Sequence, residues 1–221
     1  MPDFSALRRA MVDGQVRTSD ITDHRLLTAM LALPRERFVP PEKMELAYLD
    51  RDILLSAPGR PARCMLKPMV LAKLIQAADI AENDRVLDIG CVSGYAAALL
   101  GRLANTVIGV EEDAALAQMA MKTIAALGAM NLTIVSGPLA AGWPAGGSYD
   151  VILLEGATEI VPEGLLGQLK EDGRLVCVMG QGPAGKAMLF RAQEGELSGR
   201  PLFDATAPLL PGFAKSPEFV F

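Results

Sequence analysis

The stretch at residues 85–112 constrains the fold of this chain more than any other. It reads RVLDIGCVSGYAAALLGRLANTVIGVEE, with apolar runs at 86–89 and 106–110, a glycine turn at 90–94, and an alanine- and leucine-rich run at 95–103. We predict a strand, a turn, a helix and a second strand, because the apolar runs match buried strands and the middle run favours a helix. This order is typical of half of a doubly wound α/β fold, in which ligands bind outside the carboxyl ends of the strands.

The same stretch predicts a nucleoside site. Gly90 and Gly94 allow a sharp turn and a close approach of the backbone to a ligand, and the helix that follows presents free N–H groups. Glu111, about twenty residues further on, follows the second strand, where a carboxylate can accept both hydroxyls of a ribose. The alternative is a half-fold that packs in the same way and binds nothing.

The spacing of the glycines argues against a dinucleotide. The G-x-G-x-x-G fingerprint, started at Gly90, places Val92 and Tyr95 at its second and third glycine positions. Without the second glycine, the backbone cannot easily approach a pyrophosphate. NAD and FAD are therefore not expected.

The pattern D-I-G-x-x-S-G-Y at 88–95 resembles motif I of the class I S-adenosylmethionine (AdoMet) methyltransferases, although that family usually has glycine at the position of Val92. The resemblance implies a Rossmann-like fold with a mostly parallel sheet, an N-terminal helical cap and antiparallel C-terminal strands. It also implies AdoMet as the cofactor. The residues that it predicts to bind AdoMet are Asp88, Gly90, Cys91, Ser93, Gly94, Glu111, Glu112, Gly137 and Pro138.

Further blocks resemble the protein-L-isoaspartate O-methyltransferases, in the same order along the chain and as far as about residue 180. They are M-V-x-x-Q-x-R at 11–17, D-x-R-L-L-x-A-M at 23–30, P-R-E-R-F-V-P at 34–40, A-Y-x-D at 47–50 and V-P-x-x-L-L-x-Q-L-K-x-x-G-R-L-V at 161–176. The resemblance implies AdoMet-dependent methylation of the free carboxylate of isoaspartyl and D-aspartyl residues. The implied partners are damaged proteins that contain such residues, and the implied role is repair.

The loop at 56–70 departs from this family. The family reads roughly G-Q-T-I-S-x-P-x-M-V, and its serine lies at the reacting carboxylate. When the alignment is anchored on the final M-V, Arg63, Cys64 and Met65 stand at T-I-S and Lys67 stands at the proline. Arg63, Cys64 and Met65 are therefore the candidate catalytic residues. A one-residue gap would instead place Cys64 at the serine, and both Cys64 and Met65 suit plain packing. Arg63 and Lys67 suit either a substrate carboxylate or solvent.

The adenine end of the predicted site departs as well. Where the family has G-D-G, with an aspartate that accepts a hydrogen bond from the adenine amino group, this chain has Gly137, Pro138 and Leu139. Losing that contact is expected to cost about 1 kcal/mol, or about fivefold in affinity. Glu155 is predicted at the carboxyl end of the strand at 151–154, where catalytic groups collect.

Two functional hypotheses follow from these departures. The first is a carboxyl methyltransferase with altered substrate contacts, and the second is a non-catalytic relative that binds or regulates. We favour the enzyme because Gly90, Gly94 and Glu111 persist. The sequence does not indicate an oligomeric state.

The remaining patterns predict an N-terminal cap with the substrate loop at 1–67 and a core at 68–221, together one compact unit. The other predicted helices lie at 1–15, 23–33, 42–48, 68–80, 113–127 and 162–169, and the other strands at 131–135, 151–154, 174–179, 186–192, 201–207 and 218–221.

Composition limits the class of protein. Of the 221 residues 51% are apolar, yet charged residues interrupt every apolar run before it could span a membrane. The N-terminus lacks the apolar core of a signal peptide, so a cytoplasmic protein is expected. A net charge of −5 with scattered Lys and Arg disfavours nucleic acid. Three cysteines without a C-x-x-C pair, and the single His24, predict neither a metal site nor a disulfide framework.

Overall fold

The computed structural model describes residues 2–216. Its strands form a two-stranded hairpin of β1 with β2 and a seven-stranded sheet in the order β5-β4-β3-β6-β7-β8-β9. The strands are β1 Ile53–Leu54, β2 Cys64–Met65, β3 Arg85–Ile89, β4 Thr106–Glu111, β5 Leu132–Ser136, β6 Tyr149–Thr158, β7 Leu169–Met179, β8 Lys186–Gln193 and β9 Glu196–Asp204.

The first five strands of the large sheet are parallel and the last two are antiparallel, which confirms the predicted fold class. Strands β3 and β4 pair Arg85 with Thr106 and Ile89 with Val110, so both end at the same edge. Helices cover both faces of such a sheet, which explains why most residues of its central strands are apolar.

The helices of the described chain are α1 Phe4–Met11, α2 His24–Ala32, α3 Pro68–Ala77, α4 Tyr95–Leu100, α5 Ala114–Leu127 and α6 Glu163–Leu166. Aspartates at the residues before α1, α2 and α5 accept hydrogen bonds from first-turn N–H groups. Gly128 ends α5 with a φ of 68°, as its position predicts.

Several boundaries differ from the prediction. The helix expected at 1–15 becomes α1 followed by a π-helical turn at Val12–Val16. The helix expected at 162–169 shrinks to α6, because β7 already begins at Leu169 and pairs there with Tyr149. The strand expected at 201–207 is β9, which begins earlier because it pairs with β8 from Gln193 onward. The strand expected at 218–221 lies outside the described residues.

Strand β6 is also longer than predicted. It runs to Thr158, and its pairing with β7 shifts register between Leu153 and Ala157. Glu155 therefore lies inside the strand, at the irregularity, and not at its end as predicted.

The N-terminal segment packs on the start of α4 through a buried arginine. Arg35 donates from Nε to the carbonyl of Ala47 (2.7 Å) and from Nη2 to the carbonyl of Leu66 (2.7 Å). Its guanidinium lies 4.6 Å from the centre of the Tyr95 ring. One continuous apolar cluster joins the N-terminal helices to the sheet, whereas the division of the chain at residue 67 stays a prediction.

Candidate functional site

The turn between β3 and α4 has the left-handed backbone that a close approach requires. Gly90, Val92 and Gly94 have φ values of 77°, 50° and 87°. A Cβ on Gly94 would lie 2.9 Å from Cδ1 of Ile124, so helix packing as well as the turn requires glycine there. Val92 is β-branched and sits in the conformation that glycine favours, which strains the backbone by about 1–3 kcal/mol.

Glu111 is the last residue of β4, is fully buried and contacts this turn. Its Oε2 accepts a hydrogen bond from the Val92 N–H (2.8 Å), and its Oε1 accepts from the N–H groups of Glu112 and Asp113 (3.0 Å each). These three bonds hold the carboxylate at the edge of the sheet where the sequence predicts the ribose acceptor.

Arg63 reaches the same carboxylate from the hairpin loop. Its Nη2 lies 2.8 Å from Oε2 of Glu111, its Nε lies 3.3 Å from Oε1, and the two side chains are 3% and 0% exposed. Burial by itself lowers the pKa of Arg63, and the hydrogen bond and charge of Glu111 more than offset it, so the pKa is raised. The pair is therefore a forked ion pair shielded from water.

Asp88 on β3 and Glu155 on β6 form a pair of buried acidic side chains. Both are buried, and neither oxygen of Asp88 nor Oε1 of Glu155 has a hydrogen-bond partner among the described residues. Burial raises the pKa of Asp88 to about 7. Burial and the charge of Asp88 raise the pKa of Glu155 well above its usual value, which favours its neutral form.

Cys91 and Ser93 are buried in the turn itself. Burial raises the pKa of the Cys91 thiol well above its usual value, and its Sγ lies 3.1 Å from where a Cβ on Gly109 would be. Ser93 Oγ is buried and has no partner among the described residues. Cys91 therefore fills space, while Ser93 keeps an unused hydroxyl in the site.

Cys64 and Met65 form β2 and pair with Leu54 and Ile53 in the hairpin. Both are buried, and burial raises the pKa of the Cys64 thiol to about 11, so the thiol is protonated and a weak nucleophile. Met65 packs in the main apolar cluster. Of the three candidate catalytic residues, Arg63 is the one that contacts a predicted cofactor residue, Glu111. A catalytic role for all three stays a prediction.

Gly137 and Pro138, which are predicted at the adenine end, are less buried than Glu111. The Gly137 N–H donates to the Glu111 carbonyl (3.2 Å), while Pro138 is exposed and precedes the turn at Leu139–Ala141. Glu112 is exposed. A cavity of about 190 Å³ opens beside Glu111, lined by Arg60, Pro61, Arg63, Glu111, Glu112, Asp113 and Pro211.

Sequence reasoning missed both pairings, that of Arg63 with Glu111 and that of Asp88 with Glu155. Arg63 and Glu111 are 48 residues apart, and no local pattern relates them. The available signal was an unusual context: Arg63 stands in the apolar segment A-R-C-M-L and Glu155 in V-I-L-L-E-G-A. A charge inside an apolar run is expected to be paired or neutralised.

Known proteins resemble this chain over most of its length. The family model described as protein-L-isoaspartate(D-aspartate) O-methyltransferase matches residues 7–205. A protein-L-isoaspartate O-methyltransferase of Roseiflexus sp. (strain RS-1) is 37% identical over 217 residues, covering 98% of this chain and 97% of the relative. The enzyme of that name from Methylorubrum extorquens (strain PA1) is 36% identical over 195 residues, covering 88% and 83%.

Two solved structures share the fold. A protein-L-isoaspartate O-methyltransferase superimposes with a TM-score of 0.81 at 24% identity, covering 95% of this chain and 66% of the other. A Plasmodium falciparum protein of that description, in complex with S-adenosyl-L-homocysteine, gives 0.78 at 19% identity, covering 95% and 99%. The extent of the sequence matches shows that this chain belongs to the protein-L-isoaspartate(D-aspartate) O-methyltransferase family.

Proposed function

We propose that this chain transfers a methyl group from AdoMet to the free carboxylate of isoaspartyl residues in damaged proteins. The observation that carries the proposal is the family match from residue 7 to residue 205, which includes both the turn and the hairpin loop. The named activity of the relatives at 36–37% identity supports it.

The buried polar groups at the sheet edge fit such a cofactor on one condition. Glu111 would hold the ribose hydroxyls, and the unpartnered oxygens of Asp88 and Ser93 would hold the polar amino-acid end. These orphaned atoms are what a polar ligand would satisfy. The condition is that Arg63 must leave the Glu111 carboxylate, which it holds in this structure.

Methylation of a carboxylate requires few catalytic groups from the protein. The acceptor has a pKa near 4 in model peptides, so it is ionised at neutral pH and needs no general base. The cofactor supplies an electrophilic methyl group on a sulfonium. The residues of this chain therefore serve to align the two reactants and to exclude water.

The described residues suit that task. Val92 in the turn and Cys64 and Met65 in the hairpin are all buried and apolar in character, which suits a site that excludes water. Met65 has no hydrogen bond to offer where the family has a serine, so we expect a weaker orientation of the acceptor and a lower selectivity for it.

We further propose that the protein acts on proteins in the cytoplasm and not on nucleic acid. The net charge of −5 supports the choice of partner, and the three buried free thiols suit a reducing compartment. Within residues 2–216, no helix combines the length and apolar character that crossing a membrane requires.

Methyl transfer to a matched pair of peptides tests the proposal. One peptide carries a single isoaspartyl residue and the other has the same sequence with an ordinary aspartyl residue. With labelled AdoMet up to millimolar concentration, we expect methyl ester on the isoaspartyl peptide alone, and at least about tenfold lower kcat/KM in Glu111→Ala. Arg51→Ala, an exposed site before the hairpin, is the control. Absence of methyl ester on both peptides would contradict the proposal.

A further inference from the structure

Arg63 makes the contacts that a bound ribose is expected to make. Its Nη2 and Nε donate to the two oxygens of Glu111 at 2.8 and 3.3 Å. A ribose would present two hydroxyl donors to the same two oxygens. The side chain of Arg63 is thus a ligand from within the chain for the carboxylate that the sequence assigns to a nucleoside.

The acceptor capacity of Glu111 is used up by these contacts. The carboxylate receives five N–H groups: two from Arg63 and one each from Val92, Glu112 and Asp113. A carboxylate offers about four lone-pair directions. A ribose hydroxyl can therefore bind here only after Arg63 has withdrawn.

Arg63 also fills the space that a glycine left open. A Cβ on Gly90 would lie 2.5 Å from Nη2 of Arg63. The close approach that this glycine permits is thus made by the guanidinium. The cavity that remains beside Glu111 measures about 190 Å³, below the roughly 300 Å³ at which small-molecule pockets begin.

Hydrogen bonds hold the backbone of Arg63 in the hairpin loop, so its side chain can change rotamer without movement of the backbone. The Arg63 N–H donates to Oγ of Ser56 (3.1 Å), and its carbonyl accepts from the Leu55 N–H (2.8 Å). Arg63 lines the cavity beside Glu111 together with the exposed residues Arg60 and Pro61. This cavity offers space for the side chain of Arg63 once it leaves Glu111.

We infer that Arg63 is an autoinhibitory contact that occupies the ribose subsite and that a nucleoside must displace to bind. This regulation rests on the proposed function, because it concerns the same site. The apparent affinity for the nucleoside equals the intrinsic affinity multiplied by the fraction of molecules in which Arg63 is withdrawn. Removing the guanidinium should therefore tighten binding without adding any contact.

Calorimetric titration with S-adenosylhomocysteine tests this inference. We expect Arg63→Ala to bind at least about tenfold more tightly than the unchanged protein. Arg63→Lys keeps a charge beside Glu111 but loses the forked geometry, so its affinity should lie between the two. Arg51→Ala should bind like the unchanged protein.

Thermal unfolding gives a second readout that also checks folding. Without ligand, Arg63→Ala should melt at a lower temperature than Arg51→Ala, because Glu111 loses its buried partner. The same concentration of S-adenosylhomocysteine should then raise its Tm by more than it raises that of the unchanged protein. If Arg63→Ala is too unstable to purify, Arg63→Lys carries the comparison.

The outcomes separate this inference from the proposed function. Binding by Arg63→Ala that is equal to or weaker than that of the unchanged protein overturns the autoinhibitory contact, and methylation of the isoaspartyl peptide by the unchanged protein would still uphold the function. Tighter binding by Arg63→Ala without methylation by either protein upholds the contact and overturns the function. Binding by neither protein at millimolar ligand overturns both.

Discussion

Buried carboxyl groups on three neighbouring strands of the sheet, β4, β3 and β6, are satisfied in opposite ways. Glu111, at the end of β4, receives three backbone N–H groups and the fork of Arg63. Asp88 and Glu155, on β3 and β6, leave three of their four oxygens without a partner among the described residues. Glu111 is balanced by hydrogen-bond donors, whereas burial raises the pKa of Asp88 and of Glu155, which favours their neutral forms.

The difference shows what a buried carboxyl group needs. An isolated charge in the interior is very costly, so a carboxyl group must be given donors or remain neutral. Backbone N–H groups from the turn and from the start of α5 supply donors to Glu111. Three of the four oxygens of Asp88 and Glu155 receive no donor from the described residues, and the pKa values of both groups are raised instead.

The largest effect is expected from removing the balanced acid. Glu111→Ala leaves the Arg63 guanidinium buried and unpaired, which should lower the free energy of unfolding by about 3–5 kcal/mol. Urea denaturation measures this loss. The same variant should bind S-adenosylhomocysteine at least about tenfold less tightly.

Glu112→Ala is the matched control, because that side chain is adjacent but exposed, and its effect should stay within about 0.5 kcal/mol. The double variant Arg63→Ala with Glu111→Ala should lose less stability than the sum of the two single variants. Strict additivity would show that the two side chains do not form an ion pair.

The raised pKa of Asp88 should make stability depend on pH. Asp88 has a pKa of about 7 in the folded protein against an ordinary value of 3.8, so the folded state binds more protons than the unfolded state between these values. The contribution of Asp88 to stability is therefore full below about pH 4 and is lost as the pH rises from about 4 to about 7, by on the order of 4 kcal/mol. Urea midpoints across this pH range measure the fall.

Asp88→Asn should remove much of the slope of stability against pH, being close to the unchanged protein at pH 4 and more stable at pH 8. Glu155→Gln should act in the same direction, since it keeps the neutral form of the side chain. Glu45→Gln, at an exposed site, should leave the pH profile unchanged. A profile of Asp88→Asn parallel to that of the unchanged protein would rule out Asp88 as the titrating group.

The smallest effect is expected at Val92, in the turn between β3 and α4. Val92 holds a φ of 50°, and in this region glycine is favoured over alanine by about 1 kcal/mol. Val92→Gly should therefore be more stable than Val92→Ala by that amount, measured by urea denaturation. At Ala125, exposed in α5, a change to glycine should instead cost about 1 kcal/mol. Equal stability of the two variants at 92 would mean that the turn relaxes.

The backbone frame of the site could be predicted from sequence because its signals are local. The apolar runs and the glycines between residues 85 and 112 set strand, turn and helix, and β3, α4 and β4 follow that order. Gly128 ends α5 for the same kind of reason. The end of β6 could not be predicted, because its last residues pair with β7 across a register shift and not with their neighbours in the chain.

The sequence by itself determined the α/β fold, the family and the position of Glu111 at the edge of the sheet, because each depends on residue order and short-range periodicity. The tertiary structure alone decided that Arg63, which the sequence leaves between a substrate carboxylate and solvent, pairs with Glu111. It also placed Asp88 against Glu155. Both contacts join distant parts of the chain, and their strength depends on burial, which exists only once the sheet, the hairpin and the N-terminal segment have packed together.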